Sequence, residues 1–156
     1  MTDEDYMRMA LDEARRAESL GEVPIGAVVV YEPIDPATRR PLAPQRVIAR
    51  ACNLRESTRD PAGHAEFLAM KEAARVLDAW RLTGCTVYVT LEPCIMCAGA
   101  TGWAQVGRVV WGADDPKKGY RRYSETVFHP KTTVVRGVLG EECEELMTSF
   151  FAGLRN

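Results

Sequence analysis

Two short segments of the chain carry residue types that can do chemistry together: His64-Ala65-Glu66 and Pro93-Cys94-Ile95-Met96-Cys97. Each follows a loop and opens a predicted helix. The cysteines stand three positions apart, so their sulfurs lie on one face of a first helical turn. A helix N-terminus favours thiolate over thiol. With His64 as a third ligand, the set suits zinc, which takes cysteine sulfur and imidazole nitrogen. Three protein ligands leave the fourth tetrahedral position to water, the layout of a catalytic rather than a structural site. Two thiolates neutralise the dication, and the bound water then loses a proton near neutral pH to become a hydroxide nucleophile. Glu66 is placed to carry that proton to a substrate. The expected cofactor is one Zn2+ per chain, with water or hydroxide as the fourth ligand. The rival reading, a C-x-x-C thiol redox pair, leaves His64 and Glu66 without a role.

The elements that must position these residues follow from periodicity. Residues 2–21 predict a helix: Thr2 and Asp5 have capping-box spacing, Met7, Ala10, Leu11, Ala14 and Ala17 form one stripe, and Gly21 stops it. Residues 25–31 are valine-rich and predict a buried strand. Residues 32–46 hold four prolines and predict a loop, and 47–51 a return strand that completes a hairpin. Residues 53–63 are polar and predict another loop. A helix starts at about His64, with Phe67, Met70, Ala74 and Leu77 as its stripe. Then come a strand over 85–90, a small-residue helix over 94–104 and a strand over 108–111. A long polar loop over 114–131 follows, then a strand over 132–138. The helix over 141–154 closes the chain, with Cys143, Leu146, Met147, Phe150 and Leu154 on its apolar face. Alternation of this kind predicts an α/β domain with helices on both faces of a partly parallel sheet.

Composition bounds the rest. A length of 156 residues fits one domain over 1–156, and 46% hydrophobic with 27% charged residues excludes extensive disorder and collagen-like repeats. No apolar run approaches the ~20 residues that a membrane span needs. The acidic start, Thr2-Asp3-Glu4-Asp5, has the wrong sign for a signal peptide, so the expected location is the cytoplasm and no membrane partner is expected. A net charge of −2 argues against nucleic-acid binding through the whole surface. Five cysteines, an odd number, argue against a disulfide framework. Cys52, Cys85 and Cys143 read as buried apolar residues, and Trp103 and Trp111 as core or interface. His129 reads as a solvated loop side chain or as a group at a substrate mouth. Tyr120-Arg121-Arg122-Tyr123 interleaves aromatic and basic groups, as a nucleotide clamp or a plain surface loop would.

The signature H-x-E followed by P-C-x-x-C belongs to zinc nucleobase deaminases. The chain resembles the cytidine-deaminase-like superfamily, in its tRNA adenosine deaminase and nucleobase deaminase branch. The likeness runs through 24–30, Asn53, His64-Ala65-Glu66, 88–100 and 107–113. It implies a three-layer α/β/α fold with a central five-stranded mixed sheet, and zinc between the starts of two central helices. His64, Cys94 and Cys97 would bind zinc and Glu66 would be the general acid/base. Asn53 would hold base and sugar, with Ala65 and Pro93 also at the substrate. A homodimer is implied, with Phe151 a candidate contact. The implied activity is hydrolytic deamination of an exocyclic amine, releasing ammonia. The substrate would be a nucleobase or nucleoside of guanine, cytosine or adenosine type; the alternative is adenosine within tRNA, converted to inosine. The chain departs from the tRNA-editing pattern in three places, and the altered 117–123 loop, the short tail and the acidic balance favour the small molecule. The 32–46 loop is long. The run 117–123 replaces a small Gly-Ala-Ala-Gly-Ser stretch. The sequence ends at Asn156 without a basic tail.

Overall fold

Local chemistry starts the first helix, α1 (Asp3–Ser19). The Thr2 hydroxyl accepts from the Asp5 amide at 3.2 Å, and the Asp5 carboxylate accepts from the Thr2 amide at 2.8 Å. This is the expected capping box, and the expected stripe is buried. The computed structural model describes residues 1–155; Asn156, on which the reading of a tail-less terminus rests, lies outside the described residues. After α1 come β1 (Gly26–Tyr31), β2 (Arg46–Cys52), α2 (Arg55–Thr58), α3 (Ala65–Leu77) and β3 (Cys85–Leu91). The chain continues through α4 (Ile95–Ala104), β4 (Arg108–Ala113), a 3-10 turn at Tyr120–Arg122, β5 (Thr133–Arg136) and α5 (Gly140–Arg155).

The strands form one mixed sheet in the order β2-β1-β3-β4-β5. β1 is antiparallel to both neighbours, while β3, β4 and β5 run parallel. The two-residue period sorts the core into two layers. Ala27, Val29, Val87, Val89, Val109 and Trp111 pack with α3 and α4. Val28, Val30, Tyr88 and Val110 pack with α1 and α5. Gly26 lets α1 lie directly on the sheet, since a Cβ there would sit 2.0 Å from the Ala10 carbonyl oxygen. The result is the expected α/β/α sandwich around five strands.

Several boundaries differ from expectation for identifiable reasons. The last strand spans Thr133–Arg136 rather than 132–138, because Gly137 takes φ +82 and turns the chain away. The 53–63 loop contains α2, whose Glu56 and Ser57 amides donate to the Glu22 carboxylate at 3.1 and 2.6 Å. A short helix is thus held by an acid far away in sequence. Trp111 is buried in the core, whereas Trp103 is 83% exposed. On α5, Cys143 is buried but Leu154 is exposed, so its apolar stripe loses cover toward the C-terminus.

Asp3 ties the first helix to the sheet. Its carboxylate accepts from Arg108 at 2.6 and 2.7 Å and from the Tyr88 hydroxyl at 2.7 Å. The Arg108 hydrogen bonds hold this carboxyl below the ordinary aspartate value of 3.8. A depressed pKa contributes stability that is present at neutral pH and lost as pH falls through the folded value. Asp3→Asn is expected to cost about 1–3 kcal/mol at pH 7 and less at pH 3, which lies below the unfolded value. Urea melts at the two pH values read the difference; an equal cost at both would refute the assignment.

Candidate active site

The two chemistry-bearing segments meet where α3 and α4 begin. His64 and Cys94 are the N-cap residues, both with extended backbone, and neither side chain caps its own helix. N-cap side chains ordinarily accept from orphan amides of the first turn. Here they face each other instead. His64 Nδ1 lies 3.5 Å from Cys94 Sγ and 3.6 Å from Cys97 Sγ. The three ligand atoms all fall within 4.8 Å of one another. Tetrahedral zinc with usual Zn–S and Zn–N lengths has N···S edges of about 3.6 Å. The donor set therefore fits zinc in spacing as well as in type. The helix predicted from Cys94 starts at Ile95, because Cys94 stays extended and forms an isolated β-bridge with Gly119.

The Cys97 thiol hydrogen-bonds Cys94 and lowers it to about 4, with His64 acting in the same direction. The same contact, together with burial, pushes Cys97 well above the usual thiol range. The hydrogen bond to Cys94 raises His64. A donor set that favours thiolate suits a dication, since cysteine ligates as the thiolate. Glu66 sits in the first turn of α3, 5% exposed, and burial pushes its carboxyl up to about 7. A carboxyl at that value can both take and give a proton near neutral pH.

The other expected residues fall into three groups. Asn53 is buried close to α2, with its amide donating to the Val23 carbonyl at 3.3 Å and accepting from the Arg55 amide at 3.2 Å. Ala65 and Pro93 flank the cluster but are buried, and the Pro93 carbonyl accepts from the Tyr120 amide at 2.8 Å. The Tyr120–Tyr123 run does not act as one clamp. Tyr120 is buried between Trp111 and Phe128, and Arg121 pairs with Glu92 and Asp114. Arg122 and Tyr123 remain exposed, beside exposed Lys117 and Lys118. His129 is not at a substrate mouth on this site. It lines a groove with Gly84, Arg108 and Lys131, where β3 and β4 begin, whereas the cluster lies past the end of β3. Sequence reading missed Glu92, buried and bonded to the Asp115 and Arg121 amides. Its only signal was its place inside Leu91-Glu92-Pro93-Cys94.

A mixed five-stranded sheet with this cluster at its helix starts places the chain in the cytidine-deaminase-like superfamily, among hydrolytic enzymes that act on C–N bonds. The MafB19-like deaminase family matches residues 1–155, and the chain belongs to that family. A tRNA-specific adenosine deaminase of Bacillus subtilis (strain 168) is 46% identical over 158 residues, covering 98% of this chain and 91% of the relative. A solved structure from work on A-to-I editing by tRNA:A34 deaminases is 37% identical, with a TM-score of 0.76. It covers 91% of this chain and 98% of its own. The structure of guanine deaminase from Bacillus subtilis is 32% identical, with a TM-score of 0.61, covering 73% of this chain and 66% of its own. Among the described residues, no helix is long and apolar enough to cross a membrane.

Proposed function

We propose that residues 1–156 form one zinc-dependent deaminase domain that converts adenosine within tRNA to inosine. His64 Nδ1, Cys94 Sγ and Cys97 Sγ would hold one zinc per chain, and the 3.5 and 3.6 Å nitrogen–sulfur spacings are the observation that carries this. When bound, the zinc supplies Lewis acidity that activates a water at the open fourth position. Glu66 would take one proton from the attacking water and pass it to the ring nitrogen, then take the second from the added hydroxyl and pass it to the amine as the C–N bond breaks. Water and amine become a keto base and ammonia. Asn53, fixed by Val23 and Arg55, would set the depth at which base and sugar rest. Ala65 and Pro93 would contribute to the floor, since both lie beside ligands.

The tRNA reading has two supports. The Bacillus subtilis relative matched over 98% of this chain is a tRNA-specific adenosine deaminase. Lys117, Lys118, Arg122 and Tyr123 are exposed on the loop bridged to Cys94, where cations and an aromatic can meet a phosphate backbone and a base. The second reading is a free nucleobase or nucleoside, favoured by the likeness to guanine deaminase. The reading includes a homodimer, because α4 leaves Ile95, Met96 and Trp103 exposed on a face that a second copy can cover, with Phe151 also exposed. It also includes a cytoplasmic location, where the five free cysteines stay reduced.

An assay across tRNA, free adenine, guanine and cytosine, and their nucleosides separates the substrates. The expected result is inosine in tRNA and no ammonia from the small molecules, with a rate that falls as salt rises. Ammonia from a free base or nucleoside, with no inosine in tRNA, would replace this reading with the second.

A further inference from the structure

The loop after β4 is anchored to the Cys94 segment through a buried charge. Glu92 is 3% exposed. One carboxylate oxygen accepts from the Asp115 amide at 3.1 Å and from Arg121 Nη2 at 2.9 Å; the other accepts from the Arg121 amide at 3.2 Å. Arg121 also reaches Asp114 at 3.3 Å, and its guanidinium lies 5.5 Å from the centre of the Trp111 ring. Beside this pair, the Tyr120 amide donates to the Pro93 carbonyl at 2.8 Å, and Gly119 bridges to Cys94. Gly119 permits the approach, since a Cβ there would lie 2.2 Å from Glu92 Oε2. Both neighbours of Glu92 in the sequence, Leu91 and Pro93, belong to the strand end and turn that deliver Cys94.

A buried ion pair is weak evidence for stability, because desolvation offsets the attraction. What a guanidinium on a fixed carboxylate does supply is directional hold: Arg121 Nη2 serves both Glu92 and Asp114, while the Arg121 amide holds the second Glu92 oxygen. We propose that Arg121 is a positioning residue: through Glu92 it fixes the Pro93–Cys94 turn, and with it the Cys94 sulfur and the loop wall beside the reacting base. The pair explains why aromatic and basic residues occupy this run without forming a clamp. Tyr120 packs inward, Arg121 locks, and only Arg122 and Tyr123 face outward.

The inference rests on the zinc deaminase reading, so the tests are chosen to separate the two. Zinc-loaded Arg121→Ala is expected to lose metal to a chelator about tenfold faster than wild type, as a misplaced ligand would. Its kcat should fall about 10- to 100-fold, with KM changed less than about threefold, since a displacement near 1 Å acts on the reacting geometry. Arg121→Lys, which keeps the charge and one donating nitrogen but loses the planar group beside Trp111, should recover part of both. Glu92→Gln should act in the same direction, and the double variant should be no worse than the more damaged single one. Amide exchange at Tyr120, read on metal-free protein, should accelerate in Arg121→Ala. Folded Arg121→Ala with wild-type zinc release and wild-type kcat would overturn the proposal, as would fully additive effects of the two sites. If Arg121→Ala does not fold, Arg121→Lys against Arg121→Gln decides by the same readouts. Wild-type protein that holds no zinc would instead remove the zinc deaminase reading, and the Tyr120 exchange would then decide the lock alone.

Discussion

Glu66→Ala is expected to retain stoichiometric zinc and lose at least about 10^3-fold in kcat, since general acid–base transfer alone contributes about 10^2–10^4. The size follows from the number of transfers one carboxyl serves: water deprotonation, ring-nitrogen protonation and amine departure. Burial pushes this group up to about 7, between the needs of a base and an acid. Glu66→Gln should do nearly the same damage while preserving volume and one hydrogen-bonding oxygen, which separates lost proton transfer from lost packing. Zinc content by atomic emission and single-turnover rates supply the two readouts. Substantial turnover in zinc-loaded Glu66→Gln would mean that another group carries the proton.

Removal of the metal has the second large effect. Chelation should bring turnover to background, and added zinc should restore it. Cys97→Ala should reach the same background without rescue, because the remaining His64 and Cys94 cannot hold the ion in the layout of three protein ligands. Cys97 is fully buried beneath the first turn of α4, so water cannot simply replace its sulfur. Stability should report the same event. His64 and Cys94 belong to the starts of different helices, so the ion joins α3 to α4. Free zinc at 100 times its Kd adds about 2.7 kcal/mol, or about 5–10 °C in Tm for a chain of this size. Full activity in demonstrably zinc-free protein would end the metal assignment.

The site was legible in the sequence to the extent that it is local. His64 and Glu66 are two apart, Cys94 and Cys97 three apart, and each pair opens a helix whose stripe is visible on its own. The sheet was legible for a similar reason, because Val28 to Val30 and Val87 to Val89 alternate between two apolar layers. What escaped depends on partners distant along the chain. Glu92 looks like one acid among 22 until Arg121 arrives beside it. α2 is too short to announce itself and depends on Glu22. The Tyr120–Tyr123 run carries no sign of which side chains turn inward, since that is decided by the space between Trp111 and Phe128. His129 was ambiguous because its place depends on the direction of β5, which no local pattern encodes.

That direction has a consequence of its own. An antiparallel last strand could follow β4 through a tight hairpin and leave the ends of the central strands bare. β5 instead runs parallel to β4, pairing Arg108 with Thr133, so the chain must travel back the full length of the sheet before it can begin. It departs from the end where Leu91 and Ala113 lie side by side, which is the end that holds the cysteines. The return path is therefore obliged to pass the doorway of the site, whatever residues compose it. Sequence change at the outward positions of this path, such as Lys117, Lys118, Arg122 and Tyr123, can then alter which molecules enter while the Arg121 lock, the helix starts and the proton carrier stay as they are. The polarity of one edge strand separates the part of this enzyme free to acquire new substrates from the part that must keep its chemistry.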